Sequence, residues 1–361
     1  MTVPSTRADG VAAALAGRDC DALLVTGLVN VRWLTGFTGS NAAALVGDDA
    51  GARLFATDFR YLTVSAEQVP AGWDRIIHQD LLEALVDRLG PGVRRLGFDD
   101  AQMSVREHRR LAELVGDDVT LVPAGGLIEE LRARKDRHEL QRIAAAALLA
   151  DAALTEVIEA GIVGRTERDV ALDLEVAMRR LGAEGVSFPP IVAAGAHGAL
   201  PHAEPRDVAI PPDTLVVIDW GAQLDGYASD CTRTFATGEL TAHDAGVYDL
   251  VLRAQETSLA AVRAGSLGRE VDAVARDIID AAGHGDHFGH GLGHGVGLEV
   301  HEGPRLSRLG ETALEPSMVV TVEPGVYVPG VVGVRIEDLV VVTDGEPEVL
   351  SSLPKTLRVV R

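Results

Sequence analysis

Two kinds of hydrophobic patterning divide the chain. In residues 1–125, short apolar runs alternate with amphipathic stretches. The runs at 22–26, 42–46, 52–56, 94–98 and 119–122 read as strands. The stretches 80–89 and 104–115 repeat apolar residues at helical spacing, with Asp80 and Ser104 placed as N-caps. This predicts an α/β domain of ordinary size. It carries no glycine-rich phosphate loop and no cluster of histidines.

From 126 to 361 the pattern changes. A long helical period runs over 136–160, and a second covers 166–181, where Thr166 and Asp169 form a start resembling a capping box. After Gly185, strand-like runs dominate, at 214–220, 227–235, 318–323 and 334–342. Helices over 242–263 and 268–282 interrupt them. The mixture predicts an α+β domain with helices against one face of an antiparallel sheet. The expected organisation is two domains, 1–125 and 126–361.

Composition narrows the partners. The 361 residues suit about two domains, and 47% hydrophobic content is ample for a sizeable core. A net charge of -21 repels nucleic acid and anionic membranes, so neither is expected as a partner. The two cysteines, Cys20 and Cys231, lie far apart and support no disulfide framework. Residues 1–10 show no apolar signal-peptide core, and no apolar run approaches the ~18 residues of a membrane span. A cytoplasmic location is the expectation.

The chemistry lies where strands end in carboxylates. An apolar run at 215–218 leads straight into Asp219, and a buried carboxylate is costly unless paired or metal-bound. Asp225-Gly226 then marks a hairpin turn, and the chain returns to Asp230. With a loop over 223–226, Asp219 and Asp230 would stand directly opposite, with Cβ atoms ~5 Å apart. Two carboxylates that close repel, and a cation between them resolves the conflict. A surface hairpin with solvated aspartates is the plain alternative, but the run at 215–218 looks buried. A second hairpin repeats the arrangement. Residues 319–322 lead into Glu323, Pro329-Gly330 turns the chain, and Glu337 follows. A three-residue loop at 329–331 would set Glu323 opposite Glu337. Together the hairpins suggest a pseudo-symmetric site with four carboxylates.

A third element supplies nitrogen. Glycine occupies every odd position from 289 to 297, which argues for extended chain and not helix. His290 and His294 therefore do not form a helical zinc motif. Glycine on one face allows close approach of other chain, while the histidines on the other reach a site. A flexible His/Gly loop is the bland alternative, since five of the eleven histidines lie between 284 and 301. Four carboxylates and one histidine are mostly hard donors. They suit Mn²⁺, or Co²⁺, Fe²⁺ or Zn²⁺, better than an all-cysteine zinc site would. Two such ions ~3.5–4 Å apart can share a water and lower its pKa, which supports hydrolysis.

The motifs Val217-Ile218-Asp219, Ser229-Asp230-Cys231-Thr232-Arg233, His290-Gly291-Leu292-Gly293-His294-Gly295, Val300-His301-Glu302, Thr321-Val322-Glu323-Pro324-Gly325 and Arg335-Ile336-Glu337-Asp338 resemble the Xaa-Pro peptidase family. That family comprises aminopeptidase P and prolidase and has a pita-bread catalytic domain. The likeness reaches the first domain through Asn30-Val31-Arg32-Trp33-Leu34-Thr35-Gly36-Phe37-Thr38-Gly39-Ser40-Asn41. It implies an N-terminal α/β domain (1–125) before a pita-bread catalytic domain (126–361). It implies hydrolysis of the bond before proline, in a peptide with proline second, by a hydroxide shared between two divalent ions. Asp219 resembles a terminal ligand of one ion, Asp230 and Glu337 the bridging carboxylates, and His294 and Glu323 ligands of the other. Glu323 also resembles the general base. His202 and His301 resemble a pair holding substrate and the tetrahedral intermediate, and His290 a further pocket histidine. Arg335 is expected at the substrate, close to Glu337. A homodimer is implied as well. Cys231 and Trp220 stand where the family carries other residues, and both read as packing, with Trp220 also a candidate pocket wall.

Rival readings share this fold. A methionine aminopeptidase usually lacks a separate domain like 1–125, and a creatinase-like hydrolase lacks the metal ligands. A catalytically inactive pita-bread module for peptide binding would not need all five donors. Whether dipeptides or longer peptides are cut is left open. A dipeptidase must clamp a free carboxylate, for which Arg305 and Arg308 are candidates.

Overall fold

The computed structural model describes residues 6–47 and 53–361, so position 52 of the strand expected at 52–56, like the first five residues, lies outside them. The chain divides into two compact units, Met1–Arg132 and Ala133–Arg361.

The first unit contains strands β1 (Ala22–Val25), β2 (Ala42–Gly47), β3 (Arg53–Thr57), β4 (Asp74–Ile77), β5 (Arg95–Phe98) and β6 (Thr120–Pro123). Its helices are α1 (Thr6–Leu15), α2 (Leu28–Thr35), α3 (Leu62–Gln68), α4 (Leu81–Val86), α5 (Val105–Val115) and, at its end, α6 (Leu127–Ala133). The strands form one mixed sheet in the order β4-β3-β2-β1-β5-β6. Asp80 caps α4, and Ser104 and Glu107 form a full capping box on α5, as their side chains dictate. The hydrophobic pattern did not reveal α1, α2, α3 or β4. Helix α2 mixes Asn and β-branched residues of modest helix propensity, and it ends at Gly36 in the left-handed region (φ 75°). Strand β4 is short and largely exposed, so no apolar run marks it.

The second unit opens with α7 (Arg137–Glu159), started by a capping box between Asp136 and Glu139, and α8 (Glu167–Arg180). Then follow β7 (Gly185–Val186), β8 (Ile191–Ala194), β9 (Leu215–Trp220), β10 (Ala222–Leu224), β11 (Tyr227–Ala228) and β12 (Cys231–Ala236). After α9 (Ala242–Leu259) and α10 (Gly268–Ala281) come β13 (Gly293–Gly295), β14 (Glu302–Leu306), β15 (Val319–Val322), β16 (Gly325–Val328), β17 (Val332–Arg335), β18 (Asp338–Val341) and β19 (Glu348–Val349). The paired strands here run antiparallel. This is the pita-bread arrangement. No helix among the described residues is long and apolar enough to cross a membrane.

Two cores of similar design sit behind the sheets. In one, Leu154 and Val157 of α7 and Val170 and Leu174 of α8 pack on Val216, Ile218 and Trp220 of β9. In the other, Val251 of α9 and Val271 and Ala275 of α10 pack on Val320, Val322 and Val340. Side chains alternate across a strand. The positions between these apolar residues therefore face away from the helices: Asp219 in β9, Thr232 in β12, Thr321 and Glu323 after β15, and Glu337 before β18. Trp220 and Cys231 belong to the first core, so Trp220 is packing and no pocket wall.

Backbone crowding limits which residues can occupy the strands of the site. The carbonyl of Gly198, in the loop after β8, lies against Gly333 of β17, where an added Cβ would sit 1.8 Å from it. Gly333→Ala must displace one backbone from the other. Overpacking of this kind costs ~1–3 kcal/mol, and Tm should fall ~2–4 °C for each kcal/mol lost. Thermal melts of the variant check this, and an unchanged Tm would show that the contact yields freely.

Candidate metal centre

The first carboxylate hairpin closes differently from expectation. Asp225 (φ 50°) and Gly226 (φ 86°) both lie in the left-handed region, the signature of a two-residue type I′ turn. Its twist suits the flanking strands, so Leu224 pairs with Tyr227 and the loop is two residues, not four. Asp219 consequently pairs with Thr232. Asp230, two positions before Thr232, is the diagonal neighbour of Asp219 on the same face and does not stand directly opposite it. Diagonal spacing still lets carboxylates meet. The second hairpin has the expected three-residue loop. Val328 pairs with Val332, Gly325 with Arg335, and Val322 with Asp338. Glu323 and Glu337 fall in register between these pairs and face each other. Pro324, which has no N–H to donate, interrupts the ladder beside them.

The two hairpins converge. One carboxylate oxygen from each of Asp219, Asp230 and Glu337 lies within 4.8 Å of the others. His294, on β13, extends the cluster: its Nε2 is 3.2 Å from Glu323 Oε1 and 3.6 Å from Asp230 Oδ2. His294 Nδ1 lies 3.1 Å from the Gly295 carbonyl, a contact that assigns its proton to Nδ1 and frees Nε2 to ligate. All five sequence-predicted donors therefore share one site.

Threonines and an arginine orient the carboxylates. Thr232 Oγ1 donates to Glu337 Oε2 at 2.7 Å and accepts from Arg335 Nε at 3.0 Å. Thr321 Oγ1 donates to Glu323 Oε1 at 3.0 Å and accepts from the His294 amide at 3.1 Å. Arg335 contacts Asp219, not Glu337, with Nη2 donating to Asp219 Oδ2 at 2.5 Å. It reaches Glu337 only through Thr232. Its Nη1 donates to Tyr327 Oη at 2.9 Å and to the Pro201 carbonyl at 3.1 Å. Arg335 is thus buried among protein partners, while the sequence placed it at the substrate. Tyr327 lies 3.0 Å from His290 Nε2, and His290 Nδ1 lies 2.7 Å from the Gly291 carbonyl. His301 is exposed, with its ring 4.3 Å from that of His294. His202 is exposed on the loop after Pro201, close enough for its charge to act on both His290 and His301. Sequence reasoning missed Thr232, Thr321 and Tyr327. The signal for the threonines was strand alternation, since each lies two positions from a site carboxylate.

Electrostatics separates the carboxylates. Burial, then Glu337 and Asp219, pushes Asp230 well above the usual carboxylate range. Burial, then Glu323 and Asp219, does the same to Glu337. Burial raises Asp219 too, against the pull of Arg335. Glu323 goes the other way. Burial alone would raise it, but the His294 hydrogen bond holds it at about 2.

The donor set fits divalent cations. Among the described residues, Asp219 Oδ1 and Glu337 Oε1 are buried without a hydrogen-bond partner. An orphaned carboxylate oxygen costs more than a neutral group would, and two in one cluster mark a place for positive charge. Asp230 and Glu337 belong to the triad and approach the remaining donors, Asp230 through His294 and Glu337 across from Glu323.

Comparison with known proteins places this geometry. The sequence model of metallopeptidase family M24 matches residues 141–344, and that of the creatinase/prolidase N-terminal domain matches 7–134. An uncharacterized peptidase, YqhT, of Bacillus subtilis is 41% identical over 339 residues, covering 93% of this chain and 95% of that one. The structure of an Xaa-Pro dipeptidase from Bacillus anthracis superposes with a TM-score of 0.93 at 36% identity, covering 98% of this chain and 99% of that one. That of an X-Pro aminopeptidase from Thermotoga maritima gives 0.88 at 33% identity, covering 95% and 99%.

The carboxylate cluster has a signature in stability against pH. Asp219, Asp230 and Glu337 have folded-state pKa values raised above their unfolded ones of about 4. Their contribution to stability is fully present below that pH and is lost as pH rises toward the folded values. Glu323 is depressed, so its contribution is fully present above its unfolded value of about 4 and is lost as pH falls from there through about 2. In chelator, Tm should therefore fall as pH is raised from about 4 to 8, more steeply than for Asp230→Asn. A divalent cation at neutral pH should reverse the loss, by ~2.7 kcal/mol at 100-fold excess over Kd. Equal slopes for the two proteins, or no response to cation, would refute the crowding argument.

Proposed function

Because the chain belongs to metallopeptidase family M24 and carries the creatinase/prolidase N-terminal domain, we propose that it is a dinuclear Xaa-Pro exopeptidase with a preference for dipeptides. The convergence of Asp219, Asp230, His294, Glu323 and Glu337 on one buried site carries this reading. In it, Asp230 and Glu337 would be shared by two ions, Asp219 would serve one of them, and His294 and Glu323 would serve the other. The oxygen-rich donor set favours Mn²⁺. When bound, the ions would polarise the scissile carbonyl and acidify a water.

The chain's own groups do the rest. Glu323, ionised at neutral pH, accepts the proton from the attacking water and passes it to the leaving proline nitrogen. His202 and His301 project from the pocket edge and stabilise charge developing on the carbonyl oxygen. His290, held by Tyr327, lines the pocket. Arg335 and Thr232 keep Asp219 and Glu337 in their ligating orientations.

The dipeptide preference rests on Arg305. It pairs directly with His294 across β13 and β14, so both side chains stand on the same face of the sheet. Its guanidinium is exposed and near enough to act on His301. A free proline carboxylate, present in Xaa-Pro and absent at that position in Xaa-Pro-Yaa, is the group it would bind. Arg308 lies beyond the end of β14 and has no such register.

Two measurements test the reading. Glu323→Gln should keep metal content but lose ~10²–10⁴-fold in kcat, since an amide ligates through oxygen yet accepts no proton. Near-normal turnover in the metallated variant would remove the assigned role. Arg305→Ala should raise KM for Xaa-Pro about tenfold or more and leave Xaa-Pro-Yaa hydrolysis little changed, as loss of a charge-assisted hydrogen bond predicts. Wild-type protein that prefers the tripeptide would overturn the dipeptide preference while leaving the metallopeptidase reading intact.

A further inference from the structure

Glu167 is a fully buried carboxylate that the proposed chemistry does not use. It occupies the first position of α8, and by sequence it looks like an ordinary first-turn acid. The helix start does not depend on it, because Thr166 already accepts from the Asp169 amide. Its side chain instead gathers donors from the loop 194–206. Oε1 accepts from the Ala194 amide at 2.9 Å and from Arg206 Nη2 at 2.8 Å. Oε2 accepts from the Arg206 amide and from Arg206 Nε, both at 3.0 Å. His197 Nδ1 is 3.0 Å from the same oxygen. Ala194 and Arg206 are the two ends of the loop, and His197 lies within it. A single carboxylate therefore closes the loop and fills its own lone pairs in doing so. The Arg206 hydrogen bond and the two loop amides keep it ionised against the pressure of burial.

The middle of this loop carries His202. Two further contacts fix that middle against the metal-site hairpin: Gly198 O against Gly333, and the Pro201 carbonyl accepting from Arg335 Nη1 at 3.1 Å. His202 comes next along the chain, and among the described residues it has no hydrogen bond of its own to direct it. Its position is set by the loop alone. We propose that Glu167 is a positioning residue, holding both ends of the 194–206 loop on one carboxylate so that His202 is presented to the substrate carbonyl. This rests on the reading of His202 as a substrate-facing group. A loop tethered at two ends and in the middle has little freedom left, which is what precise placement of a charge-stabilising group demands.

The test combines hydrogen exchange with a double-mutant cycle. In Glu167→Gln, amides of 195–203 should exchange at least ~10-fold faster while those of β9 and β12 keep their protection and the metal content is unchanged. For hydrolysis of Xaa-Pro, Glu167→Gln should lower kcat/KM ~10-fold in the wild-type background but less than ~2-fold in His202→Ala, because its effect passes through that side chain. Unchanged exchange in the loop, or an equal loss in both backgrounds, would overturn the proposal. Arg206→Lys, at a half-exposed position, keeps the charge but breaks the bidentate fork. It should show the same pattern at smaller size even if Glu167→Gln folds poorly. A wild-type protein inactive on Xaa-Pro would sink the proposed function alone, since loop exchange still decides whether Glu167 holds the loop.

Discussion

Repulsion among Asp219, Asp230, Glu323 and Glu337 is the constraint around which the second unit is organised. These carboxylates are held within a few ångströms of one another and away from bulk water, where like charges interact strongly. The protein relieves part of the conflict itself. Arg335 neutralises Asp219 from behind, and His294 sits between Glu323 and Asp230. What is left over falls on Asp230 and Glu337, which burial and their acidic neighbours push well above the ordinary carboxylate range. The unmet demand for positive charge, answered by protons or by cations, is therefore concentrated on these two carboxylates. The hydrogen bond from His294 leaves Glu323 ionised, so the same cluster holds the group to which the proposed mechanism gives the proton.

Such a cluster survives only in a stiff frame. Each hairpin is backed by its own pair of helices, and the strand alternation that buries Val216, Ile218, Val320 and Val322 on those helices turns the acids to the opposite side. Behind Glu337 lies a second, buried ion network. Arg233 donates to the Glu337 carbonyl, and its Nη2 lies 2.8 Å from Asp338 Oδ1. Lys355 Nζ and Gln255 Nε2 bond the other oxygen of Asp338 at 2.6 and 3.0 Å. Breaking one partner of a buried pair leaves an uncompensated charge, so this network resists distortion of the strand that presents Glu337. Glycines at 198 and 333 let the loop that carries His202 press on the same hairpin.

The histidines show a division of labour that follows from their surroundings. His294 is raised by Glu323 although burial opposes it, which marks it as part of the charged cluster. His290 and His301 are lowered by burial and so favour the neutral form. The one N–H of a neutral His290 is taken by the Gly291 carbonyl, so in the proposed reaction it is a neutral His301 that would donate a hydrogen bond to an oxygen gaining negative charge.

Local patterning determined much of this protein. The apolar runs and caps announced most of the long helices and site strands, because a buried strand or a capped helix is written in residues near each other. The two turns, Asp225-Gly226 and Pro329-Gly330, marked both hairpins, and loop length alone put Glu323 opposite Glu337. The motifs also named the five converging donors. Other features depend on contacts between distant segments. The offset of Asp219 from Asp230 followed from two positive φ angles that chose a tighter turn. The partner of Arg335 depended on which strand face lay beside β9. Glu167 could be recognised only once the fold had brought both ends of the 194–206 loop to the start of α8. Sequence specifies which residues are able to bind a charge; tertiary packing decides which of them must share it, because repulsion and burial act only on groups the fold has brought together.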